Sequence, residues 1–267
     1  MNLAYTIFNK FFLACFILSL YFFSITVIGQ PKKYTTANAH SHNDYLNDMP
    51  FYRAYNAGFG SIEADVFPVN GVLVVAHSKS EIKPERTLRT MYLMLILKEL
   101  TADESRNVSL LVDIKEDYKT VLPLLIKEVE GYEKYISTPN LTNRLTIVIS
   151  GNRPPPNEYK NYPDFIFFDD DLKLQHTPDE WNRVGLVSLP FYKISTWKGE
   201  DEINRKDKKA VRQIIDSVHS ANKPIRFWAA PDTQASWNLQ MKLHVDLIGT
   251  DKIEELANVL RGKSKKK

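Results

Sequence analysis

Between His40 and Lys115, ionisable residues interrupt or follow short apolar runs, several of them two positions apart. The segments are Ala39-His40-Ser41-His42-Asn43-Asp44, Ile62-Glu63-Ala64-Asp65-Val66, Val75-Ala76-His77 and Leu111-Val112-Asp113-Ile114-Lys115. In an extended chain residues i and i+2 point to the same side, so Glu63 and Asp65 share a face, as do Asp113 and Lys115, and His40 and His42. Adjacent carboxylates repel each other and stay ionised together only when a cation compensates them. With Asp113 they offer three hard oxygen donors, which suit one divalent cation, Mg²⁺ or Ca²⁺, better than Zn²⁺. His40 and His77 flank this group, and imidazoles that titrate near neutrality can serve as base and acid. Lys115, with the metal, would neutralise charge growing on the non-bridging oxygens of a phosphate. Alone, an E-x-D pair reads as the solvent-facing stripe of a half-buried strand, and a histidine after a strand as a satisfied surface or core residue. Three such clusters in one stretch argue for a site.

These residues need strands to present them. Apolar runs rich in branched residues recur at Ser61–Val69, Val72–Ala76, Ser109–Ile114, Leu145–Ile149, Phe165–Phe168, Gly185–Leu189, Ile225–Ala229 and Leu247–Gly249, after a strand ending near His40. Between many of them, Leu88–Leu100, Tyr118–Tyr132, Lys206–Ala221, Thr233–Leu243 and Lys252–Leu260 show apolar spacing near the helical period. Nearly continuous apolar strands separated by helices predict a parallel sheet buried on both faces. The fold expected is a (β/α)₈ barrel, with an open doubly wound sheet second and Val72–Ala76 as a hairpin partner or loop extension. In a barrel the polar strand ends converge at the C-terminal mouth, where active sites sit. Thr250-Asp251 with Glu254 reads as a helix start, which makes Asp251 a cap. Asp169-Asp170-Asp171 reads as an exposed loop run, His176, His219 and His244 as structural, and Trp237 as helix packing.

The ends of the chain differ from its body. Phe11–Gly29 is an unbroken, mainly apolar run behind Lys10, and Val27 and Gly29 suit a cleavage site before Gln30. Residues 1–29 are therefore expected to be a secretory signal peptide, and the mature chain secreted or periplasmic. An uncleaved N-terminal anchor is the rival, because the run is long enough to span a bilayer. The remaining chain, to about residue 260, has the length of one barrel domain. Cys15 is the only cysteine, so cleavage would leave no disulfide, cysteine nucleophile or thiolate metal site. The formal charge is +3, yet Arg261, Lys263, Lys265, Lys266 and Lys267 crowd residues 261–267, so the body is acidic. That tail reads as a solvated terminus, with membrane-surface contact as its other use. No nucleic-acid partner is expected, and the chain is expected to be a monomer.

The quoted motifs resemble the glycerophosphodiester phosphodiesterase and phosphatidylinositol-specific phospholipase C group, which includes the spider-venom-type phospholipase D enzymes. The shared order is a strand-end histidine, E-x-D, a second histidine about a dozen residues on, then an acidic residue with a lysine two positions later. His40, Glu63-Ala64-Asp65, His77 and Asp113-Ile114-Lys115 follow it, and Val245–Asp251 is similar to the group's last strand. The H-S-H-N-D-Y opening, Ser-Ile-Glu-Ala-Asp-Val and Arg226-Phe227-Trp228-Ala229-Ala230-Pro231-Asp232 look most like the branch named after altered inheritance of mitochondria protein 6. The resemblance implies a (β/α)₈ phosphodiesterase with one divalent metal on Glu63, Asp65 and Asp113. It implies His40 and His77 as catalytic, Lys115 on phosphate and Trp228 in the pocket, with a small-molecule or lipid phosphodiester as substrate. Ser41 stands where the group's H-R-G opening has arginine, which departs from glycerophosphodiester specificity. His42 and Asn43 are further candidates for substrate contact, and His42 is a rival to His40 as base.

Two other readings compete. His40-Ser41-His42 is also how zinc amidohydrolase-like barrels open, but those sites need further histidines at later strand ends, and Leu145–Ile149, Phe165–Phe168 and Ile225–Ala229 end without one. A barrel that binds a phosphorylated ligand or glycan without catalysis is the second. A glycosidase fits less well still, because it needs two carboxylates across a sugar bond, whereas Glu63 and Asp65 lie on one strand face.

Overall fold

The computed structural model describes residues 33–102 and 106–263. The apolar leader, its cleavage point, Cys15 and the last lysines lie outside the described residues. Among the described residues nine strands form one sheet: β1 (Ala39–Ser41), β2 (Ser61–Val69), β3 (Val72–Val75), β4 (Val108–Ile114), β5 (Leu145–Gly151), β6 (Ile166–Asp170), β7 (Val184–Pro190), β8 (Ile225–Trp228) and β9 (Ile248–Thr250). Eight run parallel in the order β8-β7-β6-β5-β4-β2-β1-β9. The two ends of that path meet through an isolated parallel bridge between Arg226 and Leu247, and the result is a nearly closed (β/α)₈ barrel. β3 stands outside the ring, antiparallel to the upper half of β2, with Val66 opposite Val75. The hairpin turn is Asn70-Gly71, both at positive φ, the geometry a two-residue hairpin needs.

Helices α1 (Tyr52–Ala57), α2 (Met94–Leu100), α3 (Tyr118–Glu128), α4 (Pro178–Asn182), α5 (Arg205–Ser220), α6 (Gln234–Leu243) and α7 (Ile253–Leu260) follow the strands. Side-chain oxygens of Asp117, Thr177, Asn204 and Thr233 accept first-turn N–H groups of α3 to α6. α5 buries Val211, Ile215 and Val218, spaced by four and three, on the barrel wall. A π-helical stretch, Arg89–Leu93, leads directly into α2. The link from β5 to β6 has only a short 3₁₀ segment, Pro156–Asn161, because Pro154-Pro155-Pro156 cannot supply helical N–H donors. No helix among the described residues is long and apolar enough to cross a membrane.

Strand alternation divides the barrel interior into two layers. Leu111, Val148, Phe167 and Leu186 pack together with Leu247 as an apolar plug. Two residues further along β4 to β7, the inward positions become Asp113, Ser150, Asp169 and Ser188, and β8 adds Arg226. The plug carries the interior, and the polar layer above it is the floor of a mouth at the C-terminal strand ends.

Candidate active site

The β2–β4 register places Asp65 opposite Asp113. One carboxylate oxygen each from Glu63, Asp65 and Asp113 lies within 4.8 Å of the others. The three groups line a cavity of about 590 Å³ with His42, His77, Lys115, Arg226 and Trp228. Asp65 Oδ2 accepts from Tyr45 Oη at 2.8 Å, His77 Nδ1 at 3.1 Å and Lys115 Nζ at 2.9 Å. Lys115 also reaches Asp113 Oδ1 at 3.2 Å, and the two carboxylates raise its pKa against the effect of burial. Burial pushes the Asp113 carboxyl up to about 6, Lys115 opposing and Glu63 and Asp65 adding to the rise. A carboxylate so crowded by like charge calls for a further positive charge. Among the described residues no partner is seen for one oxygen each of Glu63, Asp65 and Asp113, and Gly151 makes room for the Asp113 carboxylate, since a Cβ there would sit 2.5 Å from the Oδ1 that meets Lys115. This donor set fits a divalent cation.

Beneath the cavity, Glu63 and Arg226 form a buried pair, Oε2 to Nη1 2.7 Å. Burial would raise the Glu63 pKa, but Arg226 and His40 outweigh it and hold the carboxyl well below its usual range. His40 is fully buried in the same layer and does not line the cavity. Its Nδ1 lies 2.8 Å from Ser61 Oγ, and its Nε2 meets Glu63 Oε2 at 2.7 Å and the Arg226 guanidinium. Burial, then Arg226, lowers its pKa to about 4 against the pull of Glu63, so the ring is neutral at pH 7. Replacing Arg226 with methionine would leave Glu63 buried without its cation. The expected loss is about 3–5 kcal/mol of stability in chelator, partly restored by a divalent cation. Denaturant unfolding with and without the cation measures it.

His42 occupies the other position. Its side chain is 41% exposed into the cavity, and its Nδ1 lies 2.8 Å from Asp251 Oδ1. Burial works to lower its pKa, but the Asp251 hydrogen bond and the charges of Glu63 and Asp251 leave it raised. His77 rides on the β2–β3 hairpin with its side chain 60% exposed and Nδ1 fixed on Asp65. Asn43 does not line the main cavity; its amide lies between Tyr45 Oη at 2.7 Å and Asp251 at 3.4 Å. Ser41 anchors the loop: it donates to buried Asp44, which also accepts from Phe51 N and Tyr92 Oη.

Several placements differ from the sequence expectation. Asp251 is no helix cap: the N-cap position of α7 is Lys252, whose N–H goes to Thr250 Oγ1, while Asp251 turns to His42. In the Asp169-Asp170-Asp171 run, Asp169 and Asp170 are buried, and Asp169 faces the cavity with its pKa raised by burial to about 6. Ser150 and Ser188 complete that layer. Each stands two residues past an inward apolar residue, a signal that strand alternation alone carries. Tyr45 and the internal pairing of Arg226 carry no comparable signal. His40 and His42 do not converge as zinc ligands, because both ring nitrogens of His40 are engaged below the floor. His176 and His219 pair with Asp170 and Asp246 away from the cavity, and Trp237 is buried with its N–H on Asp232.

Residues 31–105 match the AIM6-like phosphodiesterase domain. Over 250 aligned residues the chain is 25% identical to the altered inheritance of mitochondria protein 6 homolog of Arthroderma benhamiae, covering 76% of this chain and 74% of that protein. The barrel superposes on a calcium-dependent phosphoinositol-specific phospholipase C from a Pseudomonas species with TM-score 0.56 and 10% identity, over 84% of this chain and 92% of that one. It superposes on a glycerophosphodiester phosphodiesterase from Parabacteroides distasonis with TM-score 0.55 and 16% identity, over 87% and 100%. Matched segment, aligned relative and barrel agree: the chain resembles the AIM6-like branch of the glycerophosphodiester phosphodiesterase and phosphatidylinositol-specific phospholipase C superfamily, and phosphoric diester hydrolase is the enzyme class these matches support.

Proposed function

We propose that the chain is a divalent-cation-dependent phosphodiesterase acting on a glycerophosphodiester- or phospholipid-like substrate, with His42 and His77 as its proton-transfer pair. The observation that carries this reading is one cavity in which three convergent carboxylates lie between two accessible histidines, each backed by its own carboxylate. A Mg²⁺ or Ca²⁺ ion held by Glu63, Asp65 and Asp113 would supply positive charge for the phosphoryl oxygens. Lys115, fixed by Asp65 and Asp113, adds a second cation on the same side. His42, oriented by Asp251, accepts the proton of the attacking oxygen, from water or a neighbouring substrate hydroxyl. His77, held at Nδ1 by Asp65, presents Nε2 and donates its proton to the leaving oxygen. His40 then has a structural part, locking Glu63 and Arg226 in place. Export past the cytoplasmic membrane is part of the same proposal, motivated by the apolar leader, and N-terminal sequencing of the native protein locates the cleavage.

The test is a panel of glycerophosphodiesters and phospholipids offered to the purified chain with Mg²⁺, with Ca²⁺ and in chelator. Cation-dependent release of a phosphomonoester or cyclic phosphate is expected. Tight binding of phosphorylated ligands with no turnover of any diester would replace this reading with the non-catalytic one.

A further inference from the structure

The stretch Arg226-Phe227-Trp228-Ala229-Ala230-Pro231-Asp232 ends in a carboxylate that the proposed chemistry leaves unused. Among the described residues β8 and β9 are joined only near their starts, by the Arg226–Leu247 bridge and by Ile225 O, which accepts from Asp246 N and Leu247 N. Towards the mouth they part around a small cavity of about 130 Å³. Phe227 and Trp228 line it from β8 and Gly249 and Thr250 from β9, with His42, Asp232 and Asp251. No backbone ladder fixes this end of β9 to β8, yet it carries Asp251, the residue that orients His42.

Asp232 spans the gap. Beyond Trp228 the chain turns back at Ala229, which takes a left-handed φ of +50°. Asp232 Oδ1 then accepts from Trp237 Nε1 at 2.9 Å and Thr250 Oγ1 at 2.7 Å, and its Oδ2 accepts from Asp251 N at 3.0 Å. Its carbonyl oxygen accepts from Lys252 Nζ at 2.9 Å. One residue thus takes hydrogen bonds from three consecutive positions after Gly249, while buried Trp237 in α6 anchors it from the other side. Thr250 O in turn accepts from His42 N at 3.1 Å. The Asp251 side chain is 55% exposed, so packing does little to aim it.

That aim decides what His42 can do. Its Nδ1 lies 2.8 Å from Asp251 Oδ1, and an ionised carboxylate only accepts. The neutral ring therefore carries its proton on Nδ1 and keeps Nε2 free to take another. We infer that Asp232 is a positioning residue: it clamps the end of β9 so that Asp251 holds His42 in the tautomer a base needs. Asp232 does not line the main cavity and acts only through Asp251. The inference rests on His42 as the base of the proposed phosphodiesterase and adds what keeps that base ready.

Asp232→Asn cuts the clamp at one bond. The Trp237 N–H can only donate, so the asparagine carbonyl stays with Trp237 and Thr250, and its NH₂ faces the Asp251 N–H, donor against donor. Proton–nitrogen NMR spectra of the full chain labelled on its histidine nitrogens, assigned with His42→Ala, read the His42 tautomer without turnover, at a pH where the ring is neutral. Wild type should show the Nδ1–H form. In Asp232→Asn the ratio of Nδ1–H to Nε2–H should fall about tenfold, the scale of one charge-assisted hydrogen bond. With bis(4-nitrophenyl) phosphate and Mg²⁺ or Ca²⁺, kcat should fall about tenfold and KM stay within about twofold, because a loosened base leaves ground-state binding intact. Trp237→Phe removes the anchor's donor and spares the Asp251 bond, so it should lower stability and leave tautomer and kcat near wild type. Thr250→Val breaks the other side-chain contact to β9 and should shift the tautomer the same way by less; it serves where Asp232→Asn fails to fold. An unchanged tautomer ratio in the folded clamp variants, a mixture of tautomers in wild type, or an equal shift in Trp237→Phe overturns the inference. If the ratio shifts as expected while wild type cleaves no diester, the phosphodiesterase reading fails and the clamp stands.

Discussion

Asp65→Asn should leave the barrel folded and lower phosphodiester turnover on the order of 10³-fold or more, the scale of several kcal/mol of lost charge stabilisation. Three donors, from Tyr45, His77 and Lys115, converge on Asp65 Oδ2. An asparagine satisfies them by turning its amide oxygen their way. Its NH₂ then points to where the free carboxylate oxygen stood, and a cation ligand becomes a donor. Fold and turnover are therefore expected to part company: unfolding midpoints near wild type, with calorimetric cation affinity and activity lost together. Chelation of the wild type should give the same loss, reversed by adding Mg²⁺ or Ca²⁺. Full activity in excess chelator, after verified metal removal, would end the metal-dependent reading.

The second large effect separates three histidines. His42→Ala should reduce turnover by about 10²–10⁴-fold, the range for a lost general base, and His77→Ala by a similar factor for a lost acid. A substrate with an activated leaving group needs little protonation, so it should rescue His77→Ala and leave His42→Ala slow. His40→Ala should show mainly as lost stability, since it strips partners from Ser61, Glu63 and Arg226 at once. The pH profile adds a signature. A base works in its neutral form, and Asp251 keeps the His42 pKa above its ordinary value, so activity should rise with pH along an acid limb displaced upward. Asp251→Asn removes the carboxylate and should move that limb to lower pH, because burial then acts with less opposition. A fully folded His40→Ala enzyme with turnover lost, beside a His42→Ala enzyme near wild type, would return the base to His40.

Much of the fold is written in local pattern. Strand runs rich in branched residues, helical periodicity between them and the polar ends of Glu63-x-Asp65 and Asp113-x-Lys115 are properties of neighbouring residues, and each segment assumes that form. The β5–β6 link follows equally from three consecutive prolines. Pairings across the barrel are another matter. Arg226 meets Glu63 from far along the chain, and nothing near either residue announces the partner. Asp251 stands where a cap is plausible, and only the turn of the β9 end towards His42 decides between two uses of one carboxylate. His40 shows the same limit from the other side: its strand-end position is legible, but its depth below the floor depends on how far β1 extends relative to β2, β8 and β9. Asp169 was readable in principle, since it stands two residues after inward Phe167, but a run of three aspartates reads as a loop by composition alone.

The ring of strands is uneven in strength. β2, β4 and β5 are laddered along nearly their whole length, from Ser61 to Ile114 and from Val108 to Gly151. β1 meets β9 over three residues, and β9 meets β8 through a single bridge, with Ile225 O accepting from Asp246 N and Leu247 N. The three carboxylates proposed to hold the cation therefore hang on the stiff half, while His42, Asp251 and Arg226 hang on the seam, where amide protons should exchange with solvent first. A ligand that touches both halves is expected to tighten the seam. Part of its binding free energy would then go into ordering this sparsely paired backbone, so affinity and seam protection should rise and fall together across a series of ligands.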